Sequence, residues 1–95
     1  MRGISMIISA KDFEKNELFS AEILDYAIRD NNVYEFIIPY GQYADASEIL
    51  TTDLLLIRFT TEKLNYEGHG RIFEVYPCND GSLLRVKFDG YYDVN

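Results

Sequence analysis

His69, Cys78 and the pair Asp45 and Glu48 are the residues of this chain whose types could do chemistry. His69 is the only histidine and stands between Gly68 and Gly70. A histidine general base needs a nucleophile and an orienting acid beside it, and the spacing singles out neither. The plainer expectation is a polar turn residue. Cys78, the one cysteine, lies in a tight loop with Asn79 and Asp80, without a basic cluster or helix start to lower its pKa. One Cys and one His fall short of the four N/S ligands of a zinc site. Asp45 and Glu48, one helical turn apart, would suit a carboxylate-only cation site, although a solvated face explains them as well. The glycines form neither GxGxxG nor a P-loop, and no nucleophile elbow is present. Among sixteen carboxylates, paired acids carry no specificity. The chemistry points to a non-enzymatic protein with no cofactor and no metal.

Charge is more informative. The net charge is −7, and residues 1–53 hold ten acids against four bases. No Lys or Arg occurs between Arg29 and Arg58, whereas Asp30, Glu35, Asp45, Glu48 and Asp53 fall there with Tyr34, Tyr40 and Tyr43. Such a field repels a phosphate backbone and steers basic partners at high on-rate, while tyrosine supplies rigid contact area. The expected partner-binding residues are therefore Glu35, Tyr40, Tyr43, Asp45, Glu48 and Asp53. A solubilising acidic face is the bland alternative. A third reading takes Tyr66, Phe73, Tyr76, Tyr91 and Tyr92, near Arg71, Arg85 and Lys87, as an aromatic and basic patch for a nucleotide or nucleic acid. The negative total and the expected Glu74–Arg85 pair weigh against it.

The elements that must position these residues read as strands. With 95 residues the chain makes one domain, 1–95, and at 47% hydrophobic and 15% aromatic it is too apolar for a disordered tail. A single cysteine, an N-terminus without a signal-type h-region and no long apolar run lead to a cytoplasmic expectation, away from membranes.

The firmest element is a hairpin over 71–88. With Cys78-Asn79-Asp80-Gly81 as the loop, the ladder runs Tyr76/Leu83, Val75/Leu84, Glu74/Arg85, Phe73/Val86, Ile72/Lys87 and Arg71/Phe88. One face then collects Phe73, Val75, Leu84, Val86 and Phe88. Gly3–Ala10 alternates as a first strand, and Lys11–Glu17 reads as a turn in which Ser9 or Asp12 could cap a short helix.

Residues 20–30 have two readings. As a helix, Ile23, Leu24, Ala27 and Ile28 make an apolar stripe. As a strand, they pair with 33–40 through Ile28/Tyr34, Ala27/Glu35, Tyr26/Phe36, Asp25/Ile37 and Leu24/Ile38, placing Ile28, Tyr34, Tyr26, Phe36, Leu24 and Ile38 on one uncharged face. The agreement between the two segments favours the hairpin. Residues 41–50 read as a loop with one helical turn, 63–70 as a turn region, and 91–94 as a short last strand. Residues 53–61 read as a strand with Leu55, Ile57 and Phe59 on one face and Leu54, Leu56 and Arg58 on the other, either central or covered on its second face. The expected fold is mainly β, a small antiparallel barrel or sandwich of five to six strands with at most one short helix, the alternative being α+β with a helix at 20–30.

The cadence LFSAEILDY, YEFIIPY and LLLIRFTTEKLNYEGHGRIFEVY, over most of residues 18–76, resembles the N-terminal barrel of flagellar-brake, PilZ-associated proteins. The RxxxR and DxSxxG elements by which the PilZ domain itself holds cyclic di-GMP are absent, so the resemblance implies a barrel and carries over no ligand residue. The leading expectation is a small acidic binding protein, of inhibitor, immunity-type or adaptor kind, that engages a basic protein surface. A structural or homo-oligomeric subunit comes second, and the nucleotide or nucleic-acid binder third.

Overall fold

The computed structural model describes residues 6–30, 32–39, 49–50, 54–79 and 81–93, the last three without their side chains. Seven strands form one antiparallel sheet. They are β1 (Ile7–Lys11), β2 (Glu17–Glu22), β3 (Asp25–Ile28), β4 (Val33–Ile38), β5 (Leu55–Thr60), β6 (Asn65–Pro77) and β7 (Ser82–Asp93), in the spatial order β2-β1-β5-β6-β7-β4-β3. No ladder joins the edge strands β2 and β3, so the sheet is not closed. The two edges are nevertheless consecutive in sequence. Ile23 N–H donates to Met6 O (2.8 Å) and Leu24 N–H to Ile37 O (2.7 Å), so the chain changes its pairing neighbour from β1 to β4 within one step.

The long β6–β7 hairpin explains how the sheet turns on itself. Its far half, Asn65–Gly70, pairs with β5, whereas Ser82–Lys87 of its tip half pairs with β4. Between these halves lie two register shifts, at His69/Gly70 and at Ile72/Glu74, and bulges of this kind bend a strand pair. In a flat sheet β4 and β5, with two strands between them, would stand roughly 14 Å apart. Instead the Phe36 and Phe59 rings are 5.1 Å apart and those of Tyr34 and Phe59 5.3 Å apart. The sheet is strongly curled, and its concave face is the core, built from Ile8, Ala10, Phe19, Ala21, Ile23, Tyr34, Phe36, Ile38, Leu55, Ile57, Phe59, Ile72, Leu84, Val86 and Phe88. Alternation along each strand supplies this face, because every second side chain points the same way.

Several expectations hold in detail. The β3–β4 rungs Asp25↔Ile37, Tyr26↔Phe36, Ala27↔Glu35 and Ile28↔Tyr34 are those read from the sequence, and the helix alternative at 20–30 is overturned. The hairpin rungs Tyr76↔Leu83, Val75↔Leu84 and Glu74↔Arg85 are likewise as expected, closed by Cys78 N–H donating to Gly81 O (2.9 Å). Leu55, Ile57 and Phe59 are fully buried, on a strand flanked on both sides.

Others are corrected. Beyond Glu74 the ladder slips by one, pairing Ile72 with Val86 and Arg71 with Lys87 and leaving Phe73 bulged. Ile72 therefore enters the core, and Phe73, expected there, is only half-buried. Among the described residues there are seven strands instead of five or six, Glu17–Glu22 and Asp25–Ile28 being separate. Residues 65–70, expected as a turn, begin β6, and the expected last strand merely continues β7. Leu24 and Ile28, placed on the apolar face, are 41% and 51% exposed. Ile28 keeps its rung with Tyr34 but lies on an edge strand, and at the step from β2 to β3 Ile23 is buried instead of Leu24. Asp12 caps no helix. Its Oδ1 accepts the N–H groups of Glu14 (2.9 Å) and Asn16 (2.8 Å), closing the β1–β2 turn around Lys15 at φ 69°. These bonds, that from Asn16 first, hold the Asp12 carboxyl below its usual pKa. The expected helical turn at 41–50 lies outside the described residues except for Ile49, which is buried, and Leu50.

Candidate functional site

The convex face of the sheet carries one dense polar cluster. The rungs Ala27↔Glu35, Glu35↔Arg85 and Glu74↔Arg85 line up across β3, β4, β7 and β6, so side chains distant in sequence become cross-strand neighbours. Arg29 Nε donates to Glu35 Oε1 (2.8 Å), and Arg85 Nε to Glu35 Oε2 (2.9 Å). Arg85 also pairs with Glu74 through Nη1 and donates to the Tyr76 hydroxyl through Nη2 (3.2 Å). Glu35 is buried, with a side chain only 12% exposed between two guanidinium groups. The Arg29 hydrogen bond, with help from Arg85, lowers its pKa despite the opposing effect of burial. Arg85 is correspondingly raised, first by its bond to Glu35.

This cluster ties four strands together, and its pH dependence follows. With a folded pKa below the ordinary 4.5, the stability Glu35 contributes is complete above that value and is lost as pH falls through the folded pKa. Glu35→Gln is expected to cost roughly 1–3 kcal/mol at neutral pH. Denaturant melts repeated from pH 7 downward should show the variant losing less stability than wild type below 4.5. Parallel acid limbs would contradict this role for Glu35.

A second feature is an open cleft of about 810 Å³ beside the end of β4. Its apolar walls are Ile28, Val33, Tyr34, Leu64 and Tyr66, and its polar groups are Arg29, Asp30, Asn32 and Lys87. The cleft exists because β4 leaves the ladder at Val33↔Lys87 while β7 runs on to Asp93. Phe88 N–H, next along that edge, donates to Asn32 O (2.8 Å), which seats the β3–β4 turn on the rim. The aromatic and basic patch expected from sequence is divided accordingly. Arg85 is taken up by Glu35 and Glu74, Tyr66 and Lys87 line the cleft, and Phe73 sits in the bulge.

The acidic side chains lie elsewhere. Of the six expected partner-binding residues, Glu35 is committed to internal pairs, and Tyr40, Tyr43, Asp45, Glu48 and Asp53 lie outside the described residues. Sequence reasoning passed over Glu14, Glu17, Glu22 and Asp25, which are exposed along the β1–β2 turn and the outermost strands, with no ion pair among the described residues. Asp25 is the rung partner of Ile37, two residues before Pro39.

His69 faces solvent on β6, opposite Leu56 and Gly90, instead of in a turn. Cys78 is half-buried in the β6–β7 turn. Among the described residues no group of three His, Cys, Asp or Glu is placed to hold a metal ion, and no helix is long and apolar enough to cross a membrane. Compared with known proteins, the chain matches no family model, no curated protein and no solved structure. The likeness of its strand cadence to flagellar-brake proteins gains no support there.

Proposed function

We propose that this domain is a non-enzymatic binding module whose acidic exterior engages a basic protein surface, in the manner of an inhibitor, immunity-type protein or adaptor. The observation that carries the reading is the set of exposed carboxylates Glu14, Glu17, Glu22 and Asp25 on the β1–β2 turn and the outer strands, without an ion pair among the described residues. Arg29 and Arg85 are meanwhile occupied by Glu35 and Glu74, and the chain as a whole carries a net charge of −7. Tyr40, Tyr43, Asp45, Glu48 and Asp53 complete the proposed contact. Placement in the cytoplasm belongs to the same proposal and rests on the single cysteine. Reading the sheet as a small barrel is supported by the ring contacts across it and by the two-residue link between its edges.

The partner is to be captured from the native host, and its association followed against ionic strength. Capture should weaken steeply with salt. Glu22→Lys with Asp25→Lys, and separately Asp45→Lys with Glu48→Lys, should slow association about tenfold while leaving thermal stability nearly unchanged. Capture indifferent to both double variants would remove the acidic surface from consideration.

A homo-oligomeric subunit is the second reading. It is favoured by the exposed apolar side chains Ile7, Leu24 and Ile28, at 45%, 41% and 51% exposure, beside the same edge. A concentration-independent oligomer by light scattering would favour it over the first.

A further inference from the structure

A pair of cationic side chains on this acidic domain adjoins the cleft beside β4. Arg71 stands directly opposite Lys87 in the β6–β7 ladder, and both are exposed. Like charges facing each other across a rung are unfavourable, and neither has an ion pair among the described residues. On its other side Lys87 is the rung partner of Val33, whose carbonyl accepts the Arg29 N–H at 2.9 Å. Arg29, Lys87 and Arg71 therefore occupy one row across the strands. Arg29 reaches Glu35 through Nε, and its side chain remains 61% exposed.

Lys87 and Arg29 also line the cleft, where Asp30 is the sole acid among the lining residues, so the local charge is positive in a chain of net charge −7. Behind this lip lie the apolar and aromatic walls of Ile28, Leu64, Tyr34 and half-buried Tyr66. The volume is that of a small-molecule site, and an open cleft that sets charged groups beside apolar and aromatic side chains suits an amphipathic ligand. A flat ring suits the aromatic wall, and a multiply charged anion suits an ammonium and guanidinium side by side.

We propose that this cleft binds an organic phosphate of the nucleoside polyphosphate class, its ring against the Tyr66 side and its phosphates at Lys87 on the lip, extending to Arg71 across the rung beyond the lining. Binding here uses a surface separate from the acidic edge, so the two proposals stand or fall independently.

The test titrates the isotopically labelled full chain with ADP, GDP, CDP and UDP at low salt, followed by amide shifts. At least one should saturate, moving Asn32, Tyr66 and Lys87. The matching nucleoside and inorganic pyrophosphate should each bind at least about tenfold more weakly, since each supplies only half of the recognition. Lys87→Glu and Arg71→Glu, both at exposed positions, should weaken binding at least about tenfold together with the fold intact. The proposal is overturned if none of the four saturates by about 1 mM, if the charge variants bind as wild type, or if pyrophosphate binds as tightly as the nucleotide. A polyglutamate peptide that saturates the same resonances where nucleotides do not would assign the cleft to an acidic protein segment, and would equally overturn it.

Discussion

Phe59→Ala should be the most damaging single truncation, lowering unfolding free energy by roughly 3–5 kcal/mol. Phe59 is fully buried on β5, and its ring meets those of Tyr34, Phe36, Tyr66 and Phe88 at centroid distances of 5.1–5.9 Å. Truncation removes the ring on which both halves of the curled sheet converge, and the cavity cannot collapse without moving β4 towards β5. Domains of this size have only about 5–15 kcal/mol in hand, so a large share of the total is at stake. Phe73→Ala, in the bulge and half-buried, should cost about 1 kcal/mol, nearer the centre of the range for point changes. Denaturant unfolding of the two variants side by side is the measurement. Equal losses would mean that Phe73 returns to the core face and that the register shift at Ile72/Glu74 is absent.

Gly70→Ala is expected to be nearly as harmful, for a backbone reason. A Cβ at Gly70 would stand 2.4 Å from Lys87 O and 2.9 Å from Phe88 Cα. Both atoms belong to the neighbouring strand, so no side-chain rotation relieves the clash, and the paired strands must separate at the bend. A loss on the order of 3 kcal/mol is expected, at the upper end of overpacking costs. Gly90→Ala provides the control, since a Cβ there meets nothing within 4 Å. Glycine in a strand is less favourable than alanine, so this change should stabilise by about 0.5–1 kcal/mol. Thermal melts that rank Gly70→Ala at or above Gly90→Ala would refute the tight approach of β6 and β7.

These two sites mark where sequence reasoning stopped. Alternation along 71–88 and the Asp80-Gly81 turn chemistry were enough to place Tyr76 opposite Leu83 and Glu74 opposite Arg85. One bulged residue then shifted β6 by one below it, exchanging Phe73 for Ile72 on the core face while Val86 and Phe88 of β7 stay there as expected. Bulges leave little trace in composition, although Gly68 and Gly70 marked the region where the hairpin bends. The β3–β4 rungs were legible because the two segments are separated by a short Asp-Asn-Asn turn and match residue for residue. At Ile23-Leu24, between β2 and β3, the chain changes neighbours, and no local pattern announces that step.

Glu35 shows the same limit at the candidate site. Its segment reads as acidic and free of bases, which made it a plausible contact for a basic partner. Its true partners include Arg85, fifty residues away in sequence, which reaches it only because β4 lies beside β7. The cleft beside Lys87 is likewise a product of that neighbour relation, formed where β4 ends and β7 continues.

The amino-acid order alone determined which stretches extend, which of their side chains share a face and how the nearest pairs mate, because those properties depend on residues a few positions apart. It also determined the excess of acid, which needs no folding to exist. Which strands lie side by side, where the long hairpin bends, and which charges neutralise one another were decided by the tertiary structure. Those outcomes follow from packing one shared core from all seven strands at once, a condition that no segment carries by itself.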